Sequence, residues 1–159
     1  MRHLRPGPAV TCLREVIVAS RRIPASRNAA ARYRWHPDGM PLRCLLVDDN
    51  EAFLETASVL LERGGVTVVG VASTIAEGLQ QARALRPDVI LADIGLGNES
   101  GFTLARLLVR DDPGADVILI SAGAEADYAE LIAESPAAGF LAKSELSARG
   151  VSQLLGHAL

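Results

Sequence analysis

Five short apolar runs, each closed by polar or glycine-bearing residues and each leading into helical periodicity, constrain this chain more than any other feature. They are Leu42 to Val47, Val66 to Val71, Val89 to Ala92, Val117 to Ile120 and Gly139 to Ala142, lengths that suit strands and are too short for helices. Phe53, Leu54, Ala57, Leu60 and Leu61 recur at helical spacing until Gly64-Gly65, which supply a stop. Ile75, Leu79, Ala82 and Leu85 line a second helix, opened by a Thr74/Glu77 capping box and ended by Arg86-Pro87. Gly101 to Arg110 predicts a third, with Leu104, Leu107 and Leu108 inward, before a turn at Asp112-Pro113-Gly114. Asp127 to Glu134 reads as a short, polar fourth helix. Val151, Leu154, Leu155 and Ala158 mark a fifth, with Ser144 as its cap and Gly150 as a weak point. Strands alternating with helices in this way require an α/β fold: a doubly wound five-stranded parallel sheet with helices on both faces and right-handed crossovers.

In an open sheet of this kind, ligands bind beyond the carboxyl ends of the strands. Asp48-Asp49, Asp93, Ser121 and Lys143 stand at the ends of the first, third, fourth and fifth runs. Each has a plain structural reading alone: a helix start for Asp48-Asp49, turn residues for Asp93 and Ser121, a surface charge for Lys143, and core for nearby Phe140. Their joint placement on one edge is what points to chemistry. Three carboxylates about 4 Å apart repel by several kcal/mol per pair at an effective dielectric near 20. Such a cluster needs raised pKa values or a cation, and oxygen-only ligands without His or Cys favour Mg²⁺. With a cation present, Asp93 can act as a carboxylate nucleophile on phosphorus, Lys143 can neutralise phosphoryl oxygens and Ser121 can donate to one.

Charge divides the chain in two. Residues 1–39 carry eight arginines against Glu15 and Asp38, while residues 40–159 carry eight basic against seventeen acidic residues. The leader shows no sustained period. Arg14 and Glu15 interrupt its apolar stretch, so it fails as a signal-peptide core. An arginine-rich leader can target an organelle or bind nucleic acid, but without lysines or aromatic spacing the better expectation is a disordered or non-native extension, with Met40 a natural start. No apolar run approaches the roughly 18 residues of a membrane helix. Cys12 and Cys44 are too few and too isolated for a disulfide framework or zinc site, so a reducing cytoplasm is expected, with Cys44 a small buried hydrophobe.

Taken together, these motifs make residues 42–159 resemble the receiver domain of two-component response regulators. The acidic pair matches Asp48 and Asp49, the phosphoacceptor Asp93, the hydroxyl residue Ser121, the lysine Lys143, and the aromatic switch residue Phe140. The resemblance implies a flavodoxin-like strand order 2-1-3-4-5. It also implies Mg²⁺ held by Asp49, Asp93 and the Gly95 carbonyl, with Asp48 helping through water, and a third helix starting near Gly101. Ser121 and Phe140 would form the switch. It implies a domain that phosphorylates and dephosphorylates itself rather than a turnover enzyme, a histidine kinase or phosphotransfer protein as donor, a downstream protein partner, and room for a homodimer. Two positions depart from the family pattern: Gly97 stands where proline usually follows the acceptor by four residues, and Ser144 where proline often follows the lysine.

The expectation is therefore a single-domain response regulator, phosphorylated on Asp93 with Mg²⁺, that signals through protein contacts. A degenerate receiver acting without phosphorylation is the alternative, and the complete acid, hydroxyl and lysine set argues against it. A Mg²⁺-dependent phosphatase would want an acid two residues after Asp93, where Gly95 stands. Because the chain stops at the fifth helix, no direct DNA binding is expected, and with no long apolar run no membrane contact is expected either.

Overall fold

The computed structural model describes residues 40–111 and 114–156. The expectations for residues 1–39, Asp112, Pro113 and Ala158 lie outside them. In chain order the first elements are β1 (Arg43–Val47), α1 (Glu51–Arg63), β2 (Thr67–Ala72), α2 (Ile75–Leu85) and β3 (Val89–Asp93). An antiparallel hairpin of β4 (Gly95–Leu96) and β5 (Glu99–Ser100) then leads into α3 (Gly101–Asp111) and β6 (Asp116–Ser121). A 3₁₀ turn over Glu125–Tyr128, α4 (Ala129–Glu134), β7 (Gly139–Ala142), a second 3₁₀ turn over Lys143–Glu145 and α5 (Ala148–Leu154) complete it. The main sheet runs β2-β1-β3-β6-β7 with every pairing parallel. Leaving the hairpin aside, this is the order 2-1-3-4-5.

Strand period divides the core between the two faces of the sheet. Leu45, Val47, Ile90, Ala92, Val117 and Leu119 pack with Ala82, Leu104, Ala105 and Leu108 of α2 and α3. Cys44, Leu46, Val89, Leu91, Ile118 and Ile120 pack with Leu54, Ala57 and Leu61 of α1 and with Val151 of α5. All five residues of β3 are buried, its two neighbours covering both edges and helices both faces. At about 1.5–3 kcal/mol for each large side chain removed from water, Ile90 and Leu91 alone anchor this strand and the acid at its end.

Local chemistry sets the element ends. Asn50 caps α1 by accepting the Phe53 N–H at 3.1 Å. At the other end Gly65 takes φ +89°, and N–H groups of Gly65 and Val66 return to the carbonyls of Glu62 and Leu61. That is a Schellman stop, and it draws the buried Val66 into the turn, so β2 starts one residue later than the apolar run. Arg43 ties the start of β1 to the end of α2: its guanidinium donates to the carbonyls of Leu85 at 2.8 Å and Arg86 at 2.9 Å.

Several expectations need correction. Leu60 is 45% exposed beside an equally exposed Val59, so the inward stripe of α1 is narrower than its apolar composition. Thr74 does accept the Glu77 N–H, but the Glu77 carboxylate reaches the N–H and hydroxyl of Ser73 rather than closing the box on Thr74. The fourth helical segment opens as a 3₁₀ turn, and α4 proper has no buried residue. Ser147, not Ser144, caps α5, accepting the Gly150 N–H at 3.0 Å. Leu154 is 38% exposed, leaving Val151 and Leu155 as the inward residues. Among the described residues no helix is long and apolar enough to cross a membrane.

Candidate functional site

Register brings the sequence-marked residues to one edge. Val47 pairs with Ala92, Asp93 with Ile120 and Ser121 with Ala142, so Asp48, Asp93, Ser121 and Lys143 all emerge at the carboxyl ends of neighbouring strands. Asp48 is fully buried, Asp93 nearly so, and Asp49 exposed. One carboxylate oxygen from each of the three lies within 4.8 Å of the others.

The backbone fixes Asp48 firmly. Its N–H donates to the Ala72 carbonyl at 3.0 Å, extending the β1–β2 ladder one residue past the strand. Its Oδ1 accepts the Asn50 N–H at 2.9 Å, the turn that starts α1. Oδ2 meets the Lys143 ammonium at 2.6 Å. Lys143 also stands 3.3 Å from Asp93 Oδ2, and so links the two buried acids.

These neighbours set the ionisation of the pair. Burial and the negative charge of Asp48 push the Asp93 carboxyl above its ordinary range, against the pull of Lys143 and of the Gly95 N–H that donates to it. For Lys143 burial works the other way, but hydrogen bonding to Asp48 and the charges of Asp93 and Asp48 outweigh it and hold the ammonium above its usual range. A carboxylate with raised affinity for protons is also a stronger nucleophile, and the charged lysine beside it can receive negative charge.

The cluster suits a hard divalent cation. Its donors are all carboxylate oxygens, two of them buried where unpaired charge is costly, and one ammonium cannot neutralise three acids. Asp48, Asp49 and Asp93 could hold Mg²⁺, and Gly95 lies beside them, where an added Cβ would be 4.0 Å from Asp93 Oδ2.

Ser121 is buried at the end of β6, its Oγ accepting the Gly123 N–H at 3.1 Å. Phe140 lies on β7 opposite Leu119, partly buried against the core of the α2–α3 face. Gly97 takes φ +61° at the first central position of the β4–β5 turn, a conformation closed to the proline that the family pattern has there. Gly101 packs so closely on β3 that a Cβ would overlap the Asp93 carbonyl oxygen.

Sequence reasoning missed two aromatic neighbours. The Phe53 ring, counted as part of the inward stripe of α1, covers Lys143, with the ammonium 4.4 Å from its centroid. Its spacing of one helical turn from Asp49 is the signal that could have found it. Tyr128 lies over Gly123, where an added Cβ would be 3.1 Å from its Cε2.

Comparison with known proteins agrees with this fold. Residues 44–154 match the model of the response regulator receiver domain. The chain is 37% identical over 105 residues to protein-glutamate methylesterase/protein-glutamine glutaminase 6 of Anaeromyxobacter dehalogenans (strain 2CP-C), covering 65% of this chain and 30% of that one. It is 31% identical over 103 residues to response regulator GacA of Pseudomonas viridiflava, covering 64% and 48%. The chain thus spans less than half the length of these curated relatives. Among solved structures, the signal receiver domain of NarL from Mycobacterium tuberculosis superposes with a TM-score of 0.65 at 30% identity, covering 74% of this chain and 98% of that one. A Burkholderia pseudomallei response regulator solved with a phosphorylated aspartic acid, a calcium ion and citrate gives 0.62 at 31% identity, covering 71% and 66%.

Proposed function

Because the chain belongs to the response regulator receiver domain family, we propose that it accepts a phosphoryl group on Asp93 and passes the resulting change to another protein. Phosphorylation on aspartate and Mg²⁺ binding are characteristic of the family. The observation that carries the assignment to Asp93 is the Lys143 bridge: one ammonium touches both Asp48 and Asp93 within a cluster of three carboxylates.

An oxygen of the Asp93 carboxylate attacks phosphorus, the bond from phosphorus to the donor breaks, and the departing group takes the bonding pair. A phosphohistidine of a histidine kinase or phosphotransfer protein is the donor, and its imidazole is the departing group. Asp49, Asp93 and the Gly95 carbonyl, with Asp48 helping through water, would hold Mg²⁺, which would supply charge neutralisation for the phosphoryl oxygens. Lys143 turns from the carboxylates toward a phosphoryl oxygen, and the Ser121 hydroxyl donates to another once released from Gly123. Phe140 then turns inward behind Ser121.

Exposed apolar residues support signalling by contact with a protein. Leu131 on α4 is 46% and Leu154 on α5 is 38% exposed, flanking the partly buried β7 that carries Phe140. We place this receiver domain in the cytoplasm. Incubation with acetyl phosphate and Mg²⁺ followed by intact mass measurement tests the reading: one phosphoryl group is expected on the parent and none with chelator.

A further inference from the structure

Phe53 is held in place without help from Lys143. Its N–H donates to the Asn50 side chain in the first turn of α1, and its ring packs, partly buried, against the core shared by α1 and α5. The ring therefore offers a fixed face to the lysine rather than following it. Around the ammonium stand Asp48 Oδ2 at 2.6 Å, Asp93 Oδ2 at 3.3 Å and this ring, its centroid at 4.4 Å.

We propose that Phe53 is a positioning residue for the phosphoryl site, its ring face holding the Lys143 ammonium beside Asp93 while leaving the ammonium free to turn. The inference rests on the reading of Asp93 as phosphoacceptor. An ammonium on a flexible four-carbon stem loses rotamer freedom when it is fixed, and fixing it before the ligand arrives removes that cost from binding. A third carboxylate in place of the ring would hold the lysine more tightly but would compete with phosphoryl oxygens for its protons. An aliphatic side chain would exclude water without attracting the charge. The negative face of an aromatic ring attracts the ammonium with little directional demand, so N–H bonds can pass from Asp48 and Asp93 to a new oxygen.

Phe53→Leu keeps an apolar side chain in the helix and removes the ring; Phe53→Tyr keeps the ring. Both are compared with the full parent chain for melting temperature, Mg²⁺ affinity and affinity for beryllofluoride, a phosphoryl mimic, at saturating Mg²⁺, using amide shift titrations. Loss of one ring–ammonium contact should weaken beryllofluoride binding by about fivefold in Phe53→Leu. Phe53→Tyr should stay within about twofold of the parent, and neither variant should lose Mg²⁺ affinity, because the ring supplies no metal ligand. Beryllofluoride binding by Phe53→Leu equal to that of the parent would overturn the proposal. So would an equal loss in Phe53→Tyr, or a matching fall in Mg²⁺ and beryllofluoride affinity, which is the mark of general damage to the site. A parent chain that took up no beryllofluoride would instead overturn the phosphoacceptor reading beneath it.

Discussion

Lys143 sits closer to Asp48, at 2.6 Å, than to Asp93, at 3.3 Å. The fully buried acid thus takes most of the lysine's charge, while the acid at the end of the central strand is left with part of its negative charge uncompensated. Desolvation and the neighbouring Asp48 raise the affinity of Asp93 for a proton, and the same excess charge favours a cation or an electrophilic phosphorus.

That imbalance has a stability consequence. The carboxyl of Asp93 is raised in the folded chain, so its contribution to stability is fully present below the unfolded carboxyl value and is lost as pH rises through the folded one. At neutral pH and without metal, ionised Asp93 is a standing cost. Asp93→Asn should therefore melt a few degrees above the parent in chelator, since about 1 kcal/mol moves the midpoint of a domain this size by roughly 2–8 °C. The gap should close as pH falls into the carboxylate range and shrink when Mg²⁺ is added to the parent. Equal melting of parent and variant in chelator at pH 7 would show that Asp93 carries no such cost.

Gly101 should tolerate no side chain. Its N–H donates to the Ile94 carbonyl at 3.0 Å, and a Cβ would overlap the Asp93 carbonyl oxygen, so Gly101→Ala must displace either α3 or the end of β3. Overpacking of this kind costs about 1–3 kcal/mol. Urea unfolding should show a lower midpoint, and acetyl phosphate labelling should slow with it. A midpoint matching the parent would mean that the close approach relaxes at no cost.

Much of this was legible from residue order alone, because the signals were of the strong kind. Val89 to Ala92 and Val117 to Ile120 are uninterrupted apolar runs, and both are strands buried on two faces. The acids, the hydroxyl and the lysine follow their runs directly, so placing the strands placed the site. What failed depended on three-dimensional choice. Ser144 and Ser147 both precede helix-forming residues, and the one that caps is the one whose hydroxyl reaches a free N–H, at Gly150, after Lys143–Glu145 have closed a 3₁₀ turn. The hairpin at Gly95–Leu96 and Glu99–Ser100 has strands too short to show a period of two. Phe53 fits the helical stripe, and only the fold shows its ring over Lys143.

Two glycines that look equivalent in sequence differ in the fold. Gly95 stands two residues after Asp93 and Gly123 two after Ser121, positions from which a side chain would shield a phosphoryl group on Asp93 under the proposed function, and neither has positive φ. Beside Gly95 a Cβ would find only Asp93 Oδ2, at 4.0 Å; beside Gly123 it would meet Tyr128 Cε2 at 3.1 Å and the Tyr128 hydroxyl at 3.4 Å. Gly95→Leu should therefore lengthen the phosphorylated lifetime with little change in melting, about tenfold for each 1.36 kcal/mol added to the hydrolysis barrier. Gly123→Leu should lower the melting temperature by pushing Tyr128 aside. Lifetimes followed by intact mass would contradict this if Gly95→Leu lost phosphate as fast as the parent.

The central claim is that Asp93 receives the phosphoryl group, and the direct measurement is to mark the residue chemically. Acetyl phosphate with Mg²⁺ loads the chain, borohydride reduces an aspartyl phosphate to homoserine, and tandem mass spectrometry of the digest locates the change. Homoserine at position 93 alone, absent in chelator and absent from Asp93→Asn, is the predicted result. Homoserine at position 48 or 49, or labelling of Asp93→Asn equal to that of the parent, would contradict it.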